Sequence, residues 1–156
     1  MRVRRPRAHE AARRSLAAST LSLALALAGA GAASASSSNV RDAGYLRFVR
    51  SSGASVIDEG QVRGSLPGKA RVTFVYDGSP TVRASFVIWA SGWSLRGYAT
   101  GHLSNPNSAA PSFRGQLTLA GGSGRYAHAR GRGELFGVFY RRSYALEAQA
   151  IGRLAY

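Results

Sequence analysis

The most constraining feature of this chain is a two-residue rhythm of apolar and polar side chains, cut into short runs. From Lys69 to Tyr76, Ala70, Val72, Phe74 and Tyr76 fall on one side of an extended backbone, and Lys69, Arg71 and Thr73 on the other. The pattern resumes from Thr81 to Ser91, with Val82, Ala84, Phe86, Ile88 and Ala90 on the apolar side. Such alternation is the period of a half-buried β-strand, because successive side chains of a strand point to opposite faces. Turn-forming clusters break the runs about every dozen residues, a spacing that belongs to sandwiches and barrels. Leu66-Pro67-Gly68, Asp77-Gly78-Ser79-Pro80 and Gly92 are such breaks. Ser104 to Pro111 is the longest loop, because two prolines keep it out of a central ladder.

The remaining runs are Tyr45–Arg50, Val56–Ser65, Trp93–Leu103, Ser112–Leu119, Gly133–Tyr140 and Ser143–Tyr156, and no amphipathic helix interrupts them. The last places Tyr144, Leu146, Ala148, Ala150, Leu154 and Tyr156 on one face, with Glu147, Gln149 and Arg153 on the other. The sequence therefore predicts an all-β domain over 45–156, a small antiparallel up-and-down barrel of about eight strands. A two-sheet sandwich shares the same periodicity and stays open as the alternative. Glycines inside the runs, such as Gly97, Gly115 and Gly137, allow the strong bending that a small barrel needs. The chain has no Cys, which excludes disulfides, thiolate ligands and a cysteine nucleophile. Closing the sheet on itself is then an effective way to protect its edges.

The first 35 residues read as a cleavable signal peptide. Six arginines lie before Ser15, an apolar Ala/Leu stretch follows, and Ala33-Ser34-Ala35 fits a signal-peptidase site. Leu21 to Ala28 is too short for a permanent span, so the processed chain is predicted not to be transmembrane. Arg13-Arg14 leaves both the general and the twin-arginine export routes open. Residues 36–44 read as a mobile polar lead. The expected location is secreted, extracellular or in the cell envelope.

After the leader, 14 Arg and one Lys stand against six Asp and Glu. That balance attracts anions at long range and makes an anionic cell-envelope polymer a candidate partner. Nucleic acid is disfavoured, because the arginines are scattered over many strands and not interleaved with aromatics on one face.

Leu119 to Gly131, reading LAGGSGRYAHARG, is the most distinctive segment. Its order of Gly, basic residue, aromatic, Ala and Gly resembles the GGTG-(R/K)-(Y/F)-x-x-A-x-G signature of the allene oxide cyclase-like and dirigent-like barrels. Gly121, Gly122, Gly124 and Gly131 would make the structural turn, and Tyr126 would plug one barrel end. The resemblance implies an eight-stranded barrel around a central cavity, an apolar cavity ligand, and assembly as a homo-oligomer. It carries no catalytic residue over, since no other segment matches those families' active-site motifs.

Trp89, Trp93, Tyr98, Tyr126, Phe136, Tyr140 and Tyr144 are the candidates for a ligand-binding cavity or its rim. Asp58 and Glu59 are adjacent, so in a strand only one of them can point inward. His102 and His128 have no metal-type spacing, and neither a metal site nor a cofactor is expected. Gly121-Gly122-Ser123-Gly124 is not a phosphate-binding loop, because no Lys-Ser/Thr follows it. The leading expectation is non-enzymatic binding of a small apolar ligand or a cell-surface component. The alternatives are an isomerase or cyclase working on a lipid-like substrate in the cavity, and a basic structural or adhesion module on an anionic envelope.

Overall fold

The structure, a computed structural model, describes residues 36–156. Eight antiparallel strands close into a barrel in simple sequence order: β1 (Ser37–Ser52), β2 (Ser55–Gly64), β3 (Gly68–Val75), β4 (Thr81–Ala90), β5 (Trp93–Ser104), β6 (Ser112–Ser123), β7 (Arg130–Tyr140) and β8 (Ala145–Ala155). β1 pairs with β8 from Ser37↔Ala155 to Leu46↔Leu146, which shuts the ring and removes both free edges. A sandwich is thereby excluded. The export signal read from the sequence lies outside the described residues.

Residues 37–44 differ from expectation. They are the first half of β1, paired with β8 throughout and with β2 from Asp42 onward, not a mobile lead. The signal was weak because this stretch is polar or small outside Val40. Its inward positions are Val40, Asp42 and Gly44, and its backbone supplies the bonds that close the barrel.

The two barrel ends are built differently. At the end where β1 begins and β8 finishes, Leu66, Leu95, Ala129 and Leu154 are fully or nearly fully buried. Tyr126 lies among them, 3% exposed, edge-on to Trp93 and Tyr156 with ring centroids 5.0 Å from each. This is the plug that the glycine-rich segment predicts. The glycines themselves act differently from a simple reversal. Between the pairs Gly97↔Leu119 and Leu95↔Gly122, two β6 residues, Ala120 and Gly121, oppose one β5 residue, Arg96. That is a β-bulge, with Gly121 at φ 105°. Gly122 stays in the ladder, and the chain reverses only after it, through a short 3-10 turn at Gly124–Tyr126 with Gly124 at φ 59°. The bulge and the turn together swing Tyr126 over the barrel axis.

At the opposite end, aromatic rings form a chain across the mouth. Phe48 and Tyr144 are 5.4 Å apart, Tyr144 and Phe139 6.0 Å, and Phe139 contacts Phe74 at 5.5 Å and Tyr76 at 6.1 Å. The Ser104–Pro111 loop is tied to this end by Arg141. Its guanidinium donates to the carbonyls of Ser108 (3.0 Å) and Pro106 and to the Tyr76 hydroxyl. The same guanidinium lies 5.1 Å from the centre of the Tyr76 ring.

Candidate functional site

The two-residue rhythm decides what faces the axis. Phe74 and Leu117 are buried inside, and Phe86 packs against the interior cluster. The inward residues do not fill the ring. A cavity of about 150 Å³ remains, lined by every strand. Its wall includes Leu46, Val62, Val72, Phe74, Phe86, Ile88, Leu103, Phe113, Leu117, Leu135, Phe139 and Leu146.

The void has a sequence origin. Ala84 on β4 sits directly opposite Ala99 on β5, and Ala148 on β8 directly opposite Gly44 on β1. In an eight-stranded ring β4 and β8 stand half a turn apart, so small residues face one another across the barrel. All four line the cavity. Small inward residues on both walls leave space that larger neighbours cannot collapse into.

Three lining residues carry polar side-chain groups: Asp42, Tyr76 and Gln149. Asp42 lies toward the plugged end, 8% exposed, and its Oδ1 accepts a 2.8 Å hydrogen bond from the Leu66 amide. Burial pushes its carboxyl above the usual carboxylate range, opposed by the amides of Leu66 and Ser65. Glu59 and Asp58 separate as adjacent strand residues must. Glu59 faces outward and accepts from Arg71 at 2.6 Å. Asp58 faces inward with no exposed surface, and neither of its oxygens has a hydrogen-bond partner. Its cross-strand neighbours are Phe48 and Val72, and desolvation raises its pKa to about 6. Asp58 does not open onto the cavity.

The aromatic candidates separate into three groups. Trp93 and Tyr126 form the plug, and Tyr144 stands on the rim of the other end, 45% exposed at φ 55°. Trp89, Tyr98, Phe136 and Tyr140 take outward strand positions and line no part of the cavity. Tyr98 is 63% exposed, and the Tyr140 phenol is pushed up by desolvation and then by the neighbouring Glu147 carboxylate. The rings that do line the cavity are Phe74, Tyr76, Phe86, Phe113 and Phe139. All five lie on the apolar side of their runs, so strand phase was the better guide and residue type the weaker one. His102 and His128 are both exposed.

No family model, curated protein or solved structure matches the chain.

Proposed function

We propose that this chain is an exported binding protein whose barrel takes up one small apolar molecule. The observation that carries this reading is the interior cavity of about 150 Å³ with an almost wholly apolar lining. Pockets for drug-sized ligands run to roughly 300–1,000 Å³, whereas a dry apolar cavity near 150 Å³ suits a single small aromatic molecule. The ligand class is therefore a compact hydrocarbon-like molecule, or the compact apolar end of a longer one. Its affinity comes from leaving water, at roughly 25 cal/mol per Å² of apolar surface buried.

Titration of the whole chain with toluene, read by calorimetry and thermal shift, tests the reading. Saturable binding with a rise in Tm is expected. Ala148→Leu should abolish it, because the new side chain enters the space left beside Gly44. Toluene binding that is absent, or unchanged in Ala148→Leu, overturns the proposal.

The isomerase or cyclase reading has one observation in its favour. Asp42 puts a carboxyl of raised pKa at the cavity wall, where it would be the acid or base. An apolar molecule extracted chemically unchanged after long incubation with the protein favours binding alone.

A further inference from the structure

The outside of the barrel is more one-sided in charge than the sequence total suggests. Two of the six carboxylates after residue 35, Asp42 and Asp58, are buried. The four that remain outside are engaged near the middle of the barrel or at its aromatic end. Glu59 pairs with Arg71, Glu134 lies 3.8 Å from Arg114, Glu147 stands beside Tyr140, and Asp77 accepts from the Ser79 amide in the β3–β4 turn.

The arginines continue to the plugged end, and there, among the described residues, none of them pairs with a carboxylate; the nearest outward acid on β7, Glu134, is two residues beyond Arg132 and lies toward Arg114. Arg132 on β7 is directly opposite Arg153 on β8. Arg130 lies two residues before Arg132, and Arg41 follows on the neighbouring β1, opposite Ile151. All four are exposed, and among the described residues none has a carboxylate within salt-bridge distance. Like charges directly across a ladder are destabilising. An anion placed between the two guanidiniums would relieve that repulsion.

Two further features surround the Arg132–Arg153 pair. A shallow, mostly apolar depression runs over this face, bordered by Ser37, Thr118, Arg130, Arg132 and Arg153. Thr118 is directly opposite Arg132 on one side and Tyr98 on the other. Tyr98 is thus two strand spacings, about 10 Å, from Arg132 on the same outer row. It is the most exposed of the large apolar side chains in the described chain.

We propose that this outer row is a docking surface for an anionic polysaccharide: Arg132, Arg153, Arg130 and Arg41 hold the charged groups, and Tyr98 stacks under a sugar ring. A flat ring packs on an aromatic face while its substituents reach the neighbouring hydroxyls and guanidiniums. A single stacking platform suits a sugar better than single-stranded nucleic acid, which uses successive aromatics. The site lies on the outer wall and is independent of the cavity.

The test compares heparin and polygalacturonate with uncharged dextran, oligo-dT and vesicles containing phosphatidylglycerol. All variants are made in the full chain, so the six arginines before Ser15 contribute equally throughout. Both anionic polysaccharides should bind, and dextran should not. Arg132→Gln/Arg153→Gln should weaken binding at least tenfold and flatten its salt dependence. Arg83→Gln/Arg142→Gln, with the same charge change on β4 and in the β7–β8 turn, should change it less than threefold. Tyr98→Ser should weaken polysaccharide binding several-fold without altering the salt dependence. Each variant's circular dichroism checks that the barrel is retained. Equal losses from both arginine pairs, no effect of Tyr98→Ser, or tighter binding to oligo-dT or vesicles than to either polysaccharide overturns the proposal.

Discussion

Asp58 makes the stability of this barrel depend on pH in an unusual direction. Its carboxyl has no exposed surface, no hydrogen-bond donor and a pKa raised from 3.8 to about 6 by desolvation. The folded state therefore binds this proton more tightly than the unfolded chain does. Protonated Asp58 is compatible with the fold, and ionised Asp58 is not well accommodated. The stability it permits is complete below pH 3.8 and is lost as pH rises through 6. At about 1.4 kcal/mol per pH unit the whole loss is about 3 kcal/mol, of which about 2 kcal/mol develops between pH 4.5 and 7.5. Other carboxylates also titrate, so the informative quantity is the difference between wild type and Asp58→Asn. Urea unfolding followed by circular dichroism at both pH values measures it. Relative to Asp58→Asn, wild type should lose about 2 kcal/mol on going to pH 7.5, which moves the urea midpoint by roughly 0.7–2 M. Asp58→Leu should remove the pH-dependent part as well and be the most stable of the three at pH 7.5, because replacing a buried unpaired charge with apolar volume is favourable. Parallel pH dependence in wild type and Asp58→Asn would refute the reasoning.

Three other perturbations follow from the packing. Tyr126→Ala opens the plugged end and should destabilise the fold by about 3–5 kcal/mol, the usual range for a buried aromatic, read as a lower urea midpoint. Arg141→Ala removes the donors to Ser108 and Pro106 and the stacking on Tyr76. A loss of about 1–3 kcal/mol and faster amide exchange confined to residues 104–111 and their neighbours are expected. Arg153→Gln ends the like-charge pairing with Arg132 and should raise stability by a few tenths of a kcal/mol at low salt, an advantage that shrinks as salt is added.

Much of the interior was legible because strand periodicity carries it. The phase of Lys69–Tyr76 and Thr81–Ser91 alone puts Phe74, Tyr76 and Phe86 on the inward side, and the segment around Tyr126 predicts the plug. The start of β1 was not legible, because Ser37–Gly44 gains its order from pairing with β8, more than 100 residues away in sequence. Locally it offers only Val40 as a core signal. The division of aromatic rings between inside and outside failed where residue type was set above phase. Trp89 is large and apolar, yet it falls on the outward beat of its own strand beside Lys69 and Ser94. The cavity itself depends on which small residues meet across the ring. Ala84 with Ala99, and Ala148 with Gly44, are matched by register, which alternation alone does not specify. The basic face was hidden for the same reason. Arg132 and Arg153 stand 21 positions apart in the chain and become neighbours only through the β7–β8 pairing.

The most direct measurement of the central claim is an isotope-filtered NMR experiment on the intact protein with toluene. Intermolecular nuclear Overhauser effects from the toluene ring to the methyl groups of Ala84, Ala99 and Ala148 would place a small apolar guest at the barrel axis, as predicted. Effects confined to exposed groups such as Tyr98 and Val87, with none to those three alanines, would mean that the barrel interior takes no guest.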